Sequence, residues 1–142
     1  MSNLAQLTEL TERLNKAELD LTFWDDNVML WSSGSEGPER TFFNARWFQF
    51  TGRSLVEDQN FGWLENVCPE DRDRCMTIYQ NAFNIRQSFR MEYRLKNQLG
   101  DFRWVVDTGT PRFSTTGKFQ GFLGTCIDIT EYRTSMTQQR EE

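Results

Sequence analysis

The 142-residue chain contains no histidine. That absence removes the Ser-His-Asp and Cys-His arrangements of nucleophilic catalysis, the commonest general base and histidine-ligated haem. Cysteine is sparse, and Cys68, Cys75 and Cys126 stand at unrelated spacings. Without histidine a zinc site would need carboxylates beside thiolates, so the thiols read as reduced and the setting as cytoplasmic. No apolar run approaches the roughly 18 residues of a membrane span, and the N-terminus lacks the basic-then-apolar order of a secretion signal. Basic residues form no cluster. With 16 Lys and Arg against 21 Asp and Glu, the net charge of -5 argues against a surface that tracks nucleic-acid phosphates.

Aromatic side chains are abundant instead. Twelve Phe and five Trp exclude a disordered chain and predict a core of large flat side chains, suited to surrounding a planar ligand. The length fits one domain with a helical connector at each end. Leu4, Leu7, Leu10, Leu14, Ala17 and Leu21 give an amphipathic helix within residues 1–22. It either covers its own domain or forms a coiled-coil seam with a second chain.

The next segments are short. Val28 to Ser32 and Thr41 to Phe43 predict a hairpin around a Gly/Ser/Pro turn. Asn44 is placed to cap a helix that Gly52 ends, and Ser54 to cap another turn. Pro69, Glu70 and Asp71 open the clearest helix, whose buried stripe is Cys75, Met76, Tyr79, Ala82 and Phe83. Three strands follow. Phe89, Met91, Tyr93 and Leu95 alternate with charged residues, whereas the strands over Phe102–Phe113 and Phe119–Ile129 are apolar on both faces. Such a sheet needs cover on both sides. Asp128 and Glu131 have capping-box spacing where the last strand gives way to a helix, and residues 133–142 read as the start of a connector.

This α+β order resembles the PAS fold, and particular stretches carry the likeness. Phe43-Asn44 through Trp47 to Phe50-Thr51-Gly52 is similar to the family's "FN..W..FTG". Gly62-Trp63-Leu64 with Cys68-Pro69-Glu70-Asp71-Arg72 resembles "GWL..VHPDDR" of a bacterial subclass. Phe89 to Leu95 resembles "F..EYRL", Asp101 to Val105 "G.YRWV", and Gly124 to Thr130 "G...DIT". The likeness covers residues 23–132. It implies a five-stranded antiparallel sheet of order 2-1-5-4-3 with short helices and one long helix on one face.

It also implies a sensory or dimerising module rather than an enzyme, typical of sensor histidine kinases and cyclic-dinucleotide signalling proteins. A ligand would lie between the long helix and the inner sheet face. That places Trp47, Met76, Tyr79, Met91, Tyr93, Leu95, Val105, Phe122 and Cys126 around it, with Arg94 and Asp107 either orienting it or else solvated or paired on the sheet. The alternative is a filled core and a ligand-free pairing module. Its dimer or cap face would carry Leu7, Leu10, Leu14, Trp104, Val106, Leu123 and Ile127. Asp128 and Thr130 would couple the sheet to the outgoing helix and so to an output domain in the parent chain.

Cofactors divide by residue. The photoadduct motif "NCRFLQ" has no counterpart between Gln59 and Cys68, which argues against adduct-forming flavin. Non-covalent flavin is compatible with Trp47, Trp63 and Tyr93 as stacking partners, and haem would need Cys75 or Met76. Cys68 replaces the subclass histidine. It reads as a helix-capping substitution or as a low-pKa redox thiolate. A thiol enzyme built on Cys68 or Cys126 lacks a positioned base.

Overall fold

The computed structural model describes residues 28–141, with side chains through Ser135. The proposed N-terminal helix with Leu7, Leu10 and Leu14 lies outside the described residues. Five strands make one antiparallel sheet of order β2-β1-β5-β4-β3, as the family likeness implies. These are β1 (Met29–Ser33), β2 (Arg40–Phe43), β3 (Phe89–Lys96), β4 (Phe102–Phe113) and β5 (Phe119–Asp128). Between β2 and β3 come α1 (Ala45–Thr51), α2 (Leu55–Asp58), a 3-10 helix (Gly62–Asn66) and the long α3 (Pro69–Ile85). The last helix, α4 (Thr130–Glu141), leaves β5 directly. Among the described residues no helix is long and apolar enough to cross a membrane.

Local chemistry sets these boundaries. The Asn44 side chain accepts from Trp47 N at 3.1 Å and from Leu30 N at 2.9 Å, and it donates to Val28 O at 2.8 Å. One side chain therefore caps α1 and fixes it to β1. Gly52 ends α1 in the left-handed conformation at φ 71°. Ser54 and Glu57 complete a reciprocal capping box on α2.

The inner sheet face, α1 and α3 enclose one core. Met29, Trp31, Trp47, Trp63, Cys75, Tyr79, Met91, Tyr93, Leu95, Val105, Phe122 and Cys126 all belong to it. Met76 departs from the expected stripe, because it is only half-buried. Cys75, Tyr79, Ala82 and Phe83 repeat at four, seven and eight residues, which defines the inward face, and Met76 lies at its edge, about 75° from the centre of that face. On the outer face, Val106 and Ile129 form a second buried cluster with Trp104 and Ile127 against it, and Leu123 is fully buried.

Candidate functional site

The middle of the core is polar. Asp107 is fully buried on β4, and its carboxylate accepts three hydrogen bonds: from Trp31 Nε1 at 2.7 Å, Tyr93 Oη at 2.8 Å and Arg40 Nη2 at 3.0 Å. Arg40 is equally buried, and its guanidinium carbon lies 3.6 Å over the Trp31 ring and 3.7 Å over the Trp63 ring. Tyr79 stands 5.0 Å away, and its hydroxyl donates to Pro38 O. Burial works against the Arg40 charge, but Asp107 and the two phenols outweigh it and strengthen its hold on the proton. Burial, then Asp107, push the Tyr93 hydroxyl and the Cys126 thiol well up, so neither ionises near neutrality.

Nearly all of the predicted lining residues meet here, as side chains filling one another's space. Trp47 Nε1 donates to Asp58 at 2.8 Å, and its ring packs 4.8 Å from Phe43. Tyr93 is committed to Asp107 and Trp63 carries Arg40, so the three proposed flavin-stacking rings are already engaged. A tricyclic isoalloxazine would have to lift Arg40 off two indoles and unpair Asp107. The residues present do not fit a flavin.

Arg94 and Asp107, read together from the sequence, act at different places. Arg94 turns to the start of α3, where its Nε and Nη2 donate to Asp71 at 3.0 and 2.9 Å and its backbone amide bonds the same carboxylate at 2.9 Å. Those bonds hold the Asp71 carboxyl below its ordinary range despite burial. A carboxyl depressed on folding stabilises fully above its unfolded pKa, and that stability is lost as pH falls through the folded value. Asp71→Asn is therefore expected to cost about 1–3 kcal/mol at neutral pH. The Arg94 side chain is 32% exposed, which keeps the figure towards the low end. Urea midpoints of the two proteins should converge as pH drops below about 4.

Cys68 sits at the N-cap of α3 but makes no capping bond, and its thiol donates to Glu70 Oε2 at 3.1 Å. Burial first, then Glu70, raise its pKa, and burial pushes Cys75 up to about 12. The low-pKa thiolate considered from the sequence is not what this environment makes.

A second constellation joins β5 to α4. Asp128 Oδ1 accepts from Thr130 N at 2.9 Å, and Thr130 Oγ1 accepts from Trp104 N at 2.8 Å. Arg103 donates to Asp128 at 2.8 Å and to Glu131 at 2.6 Å. Glu131 thus turns to Arg103, and the capping-box spacing is used as an ion-pair fork. Burial opposes the Asp128 charge, but the Thr130 amide and Arg103 outweigh it and hold the carboxyl low. One turn on, Arg133 donates to Glu92 of β3 at 3.0 Å and packs 3.7 Å over the Trp104 ring.

Sequence reasoning missed Arg40. Register pairs it with Ser33 beside an irregularity between Ser32 and Ser33, so strict alternation along β2 does not place it inward.

Known proteins agree with this architecture. The uncharacterised protein y4lL of Sinorhizobium fredii is 40% identical over 109 residues, 77% of this chain and 13% of that protein. The blue-light-activated histidine kinase of Brucella anthropi is 40% identical over 68 residues, 48% of this chain and again 13% of the relative. The chain thus spans a small part of the curated relatives it matches. The N-terminal domain of a diguanylate cyclase with PAS/PAC sensor from Marinobacter aquaeolei superposes with a TM-score of 0.65 at 14% identity, over 75% of this chain and 98% of that one. A family model described as PAS fold matches residues 40–126, more than half of the sequence, and the chain belongs to the PAS-fold family.

Proposed function

We propose that this chain is the sensory or regulatory module of a bacterial signal-transduction protein, not itself catalytic, working in the cytoplasm on an output domain of its parent chain. A histidine kinase of a two-component system or a cyclic-dinucleotide enzyme is the expected host, by analogy with the relatives' names. The observation that carries this reading is the joint at Asp128 and Thr130. There β3 through Glu92, β4 through Arg103 and the Trp104 amide, and β5 through Asp128 all hold the first turns of α4. A small displacement of the sheet would move the helix as a lever, and two helix arrangements would set two output levels.

Two inputs suit such a lever, a small ligand inside the core or a second copy of the chain. The filled interior favours the second, a homodimer paired through the outer face at its half-buried Trp104 and Ile127, whereas Val106 and Leu123 of that face are already covered within the single chain. Neither nucleic acid nor a membrane is a proposed partner. The test is a chimera with residues 1–142 fused ahead of a histidine kinase catalytic core. Asp128→Ala is expected to change autophosphorylation at least about threefold while the module stays folded by circular dichroism. An unchanged rate in a folded variant would remove the relay.

A further inference from the structure

Two indole faces, two phenols and one carboxylate around a planar cation are the parts with which proteins recognise guanidinium and ammonium groups. In this module the group they surround is the chain's own Arg40. We infer that the interior is a guanidinium cage with a built-in occupant: Arg40 holds the place of a ligand, and the external class the cage accepts when Arg40 is withdrawn is a small guanidinium or amidinium cation. This rests on the sensory reading only in naming what occupies the module's interior.

Two observations separate a tethered occupant from an ordinary buried ion pair. The fit is incomplete, because Arg40 Nε and Nη1 and Trp63 Nε1 are buried without a hydrogen-bond partner among the described residues. A buried donor left unpaired costs free energy, and a guanidinium fixed to a backbone cannot turn in its plane to offer Nε or Nη1 to Asp107, whereas a free one can; the Trp63 indole N–H, itself a donor, is left unpaired by either.

The second observation is where the tether enters. Arg40 is the first residue of β2, the strand at the sheet edge, so its withdrawal would not cut the sheet. Its backbone is held by a two-bond bridge to Asn60, with Arg40 N donating to Asn60 O at 3.0 Å and Asn60 N to Arg40 O at 2.6 Å. Asn60 itself sits at φ 64°, the left-handed conformation that asparagine adopts more readily than other side-chain-bearing residues. The Pro38 carbonyl that receives the Tyr79 hydroxyl ties the same segment to α3. Occupancy of the cage and docking of the sheet edge are therefore one event.

The test has two arms. In the intact chain, the Arg40 Nε–H, assigned by its loss in Arg40→Lys, is expected to exchange with water at least about tenfold more slowly than those of exposed arginines. In Arg40→Ala, refolded with and without methylguanidinium chloride, a ligand at about ten times its Kd should raise the folding equilibrium constant about tenfold. Sodium chloride at equal ionic strength, the wild-type protein and Arg40→Ala with Asp107→Asn should show no such gain. Arg40 exchange as fast as at exposed arginines, or a methylguanidinium effect no larger than that of salt, would overturn the proposal. If Arg40→Ala folds under neither condition, methylguanidinium has failed to take the place of the side chain, and the proposal falls. Neither arm reads output activity. Loss of the cage with the Asp128 effect intact leaves the relay standing, and the reverse result leaves the cage standing without it.

Discussion

Asp107→Asn is expected to lower the stability of the module by about 3–5 kcal/mol, although it changes neither the shape nor the volume of the side chain. The carboxylate faces donors only, with Trp31 on one oxygen and Arg40 and Tyr93 on the other. An amide must turn its own N–H₂ towards one of those sides and set donor against donor. It also leaves the fully buried Arg40 charge without a counter-ion. The charge term dominates, because an unpaired buried ion cannot recover its hydration. Urea unfolding gives the loss directly, with the slope unchanged if the folded state keeps its compactness. Replacing both members of the pair, Arg40→Met with Asp107→Leu, should cost less than Asp107→Asn alone. Apolar groups of similar volume leave nothing charged behind. A loss under about 1 kcal/mol for Asp107→Asn would show that water reaches the cluster and that the pair is not an organising element of the core.

The parts of the fold legible in the sequence are those with local signals. Asn44 and Gly52 bound α1 because a cap and a left-handed terminus are decided within a few residues. Pro69 announces α3, and the alternation from Phe89 to Leu95 gives β3 and its inward face. The polar centre was only half legible. Asp107 shares strand parity with Val105 and Gly109, so its inward direction follows from period two, yet its charge argued for solvent or a surface partner. Its true partner lies 67 residues away across the sheet, on an irregular edge where parity fails. Arg94 was misjoined to the same region because nothing local shows that the start of α3 docks on β3. The bond from Cys68 N to Arg94 O at 2.9 Å brings Asp71 there. The joint at Asp128 and Thr130 was visible through the family likeness, but its fork to Arg103 and its clasp at Arg133 and Glu92 needed three strands in register.

Gly124→Ala should be nearly as damaging as loss of the Asp107 charge, at about 3 kcal/mol, towards the upper end for a single added methyl in a packed core. Gly124 pairs with Trp31 on β1 and with Gly109 on β4, and the Trp31 indole lies flat across it. A Cβ at this position would stand 2.0 Å from Trp31 Cε2 and 2.2 Å from its Cζ2 and Nε1. The indole has nowhere to retreat, since Arg40 packs 3.6 Å from its ring and Nε1 is bonded to Asp107. Relief requires either a shift of β5, which is hydrogen-bonded on both sides, or departure of the indole, which strips Arg40 and Asp107 of a shared neighbour. Thermal unfolding of a two-by-two set with Trp31→Ala separates the causes. If the indole is the obstacle, Gly124→Ala costs less than about 1 kcal/mol once Trp31 is already alanine, and the pair is strongly non-additive. If the cost persists without the indole, the strand backbone resists the methyl, and the cage is not what demands glycine here. The expected non-additivity makes Gly124 part of the cage. A strand residue with no side chain lets Trp31 lie close enough to the sheet for the Arg40 cation to fit above it.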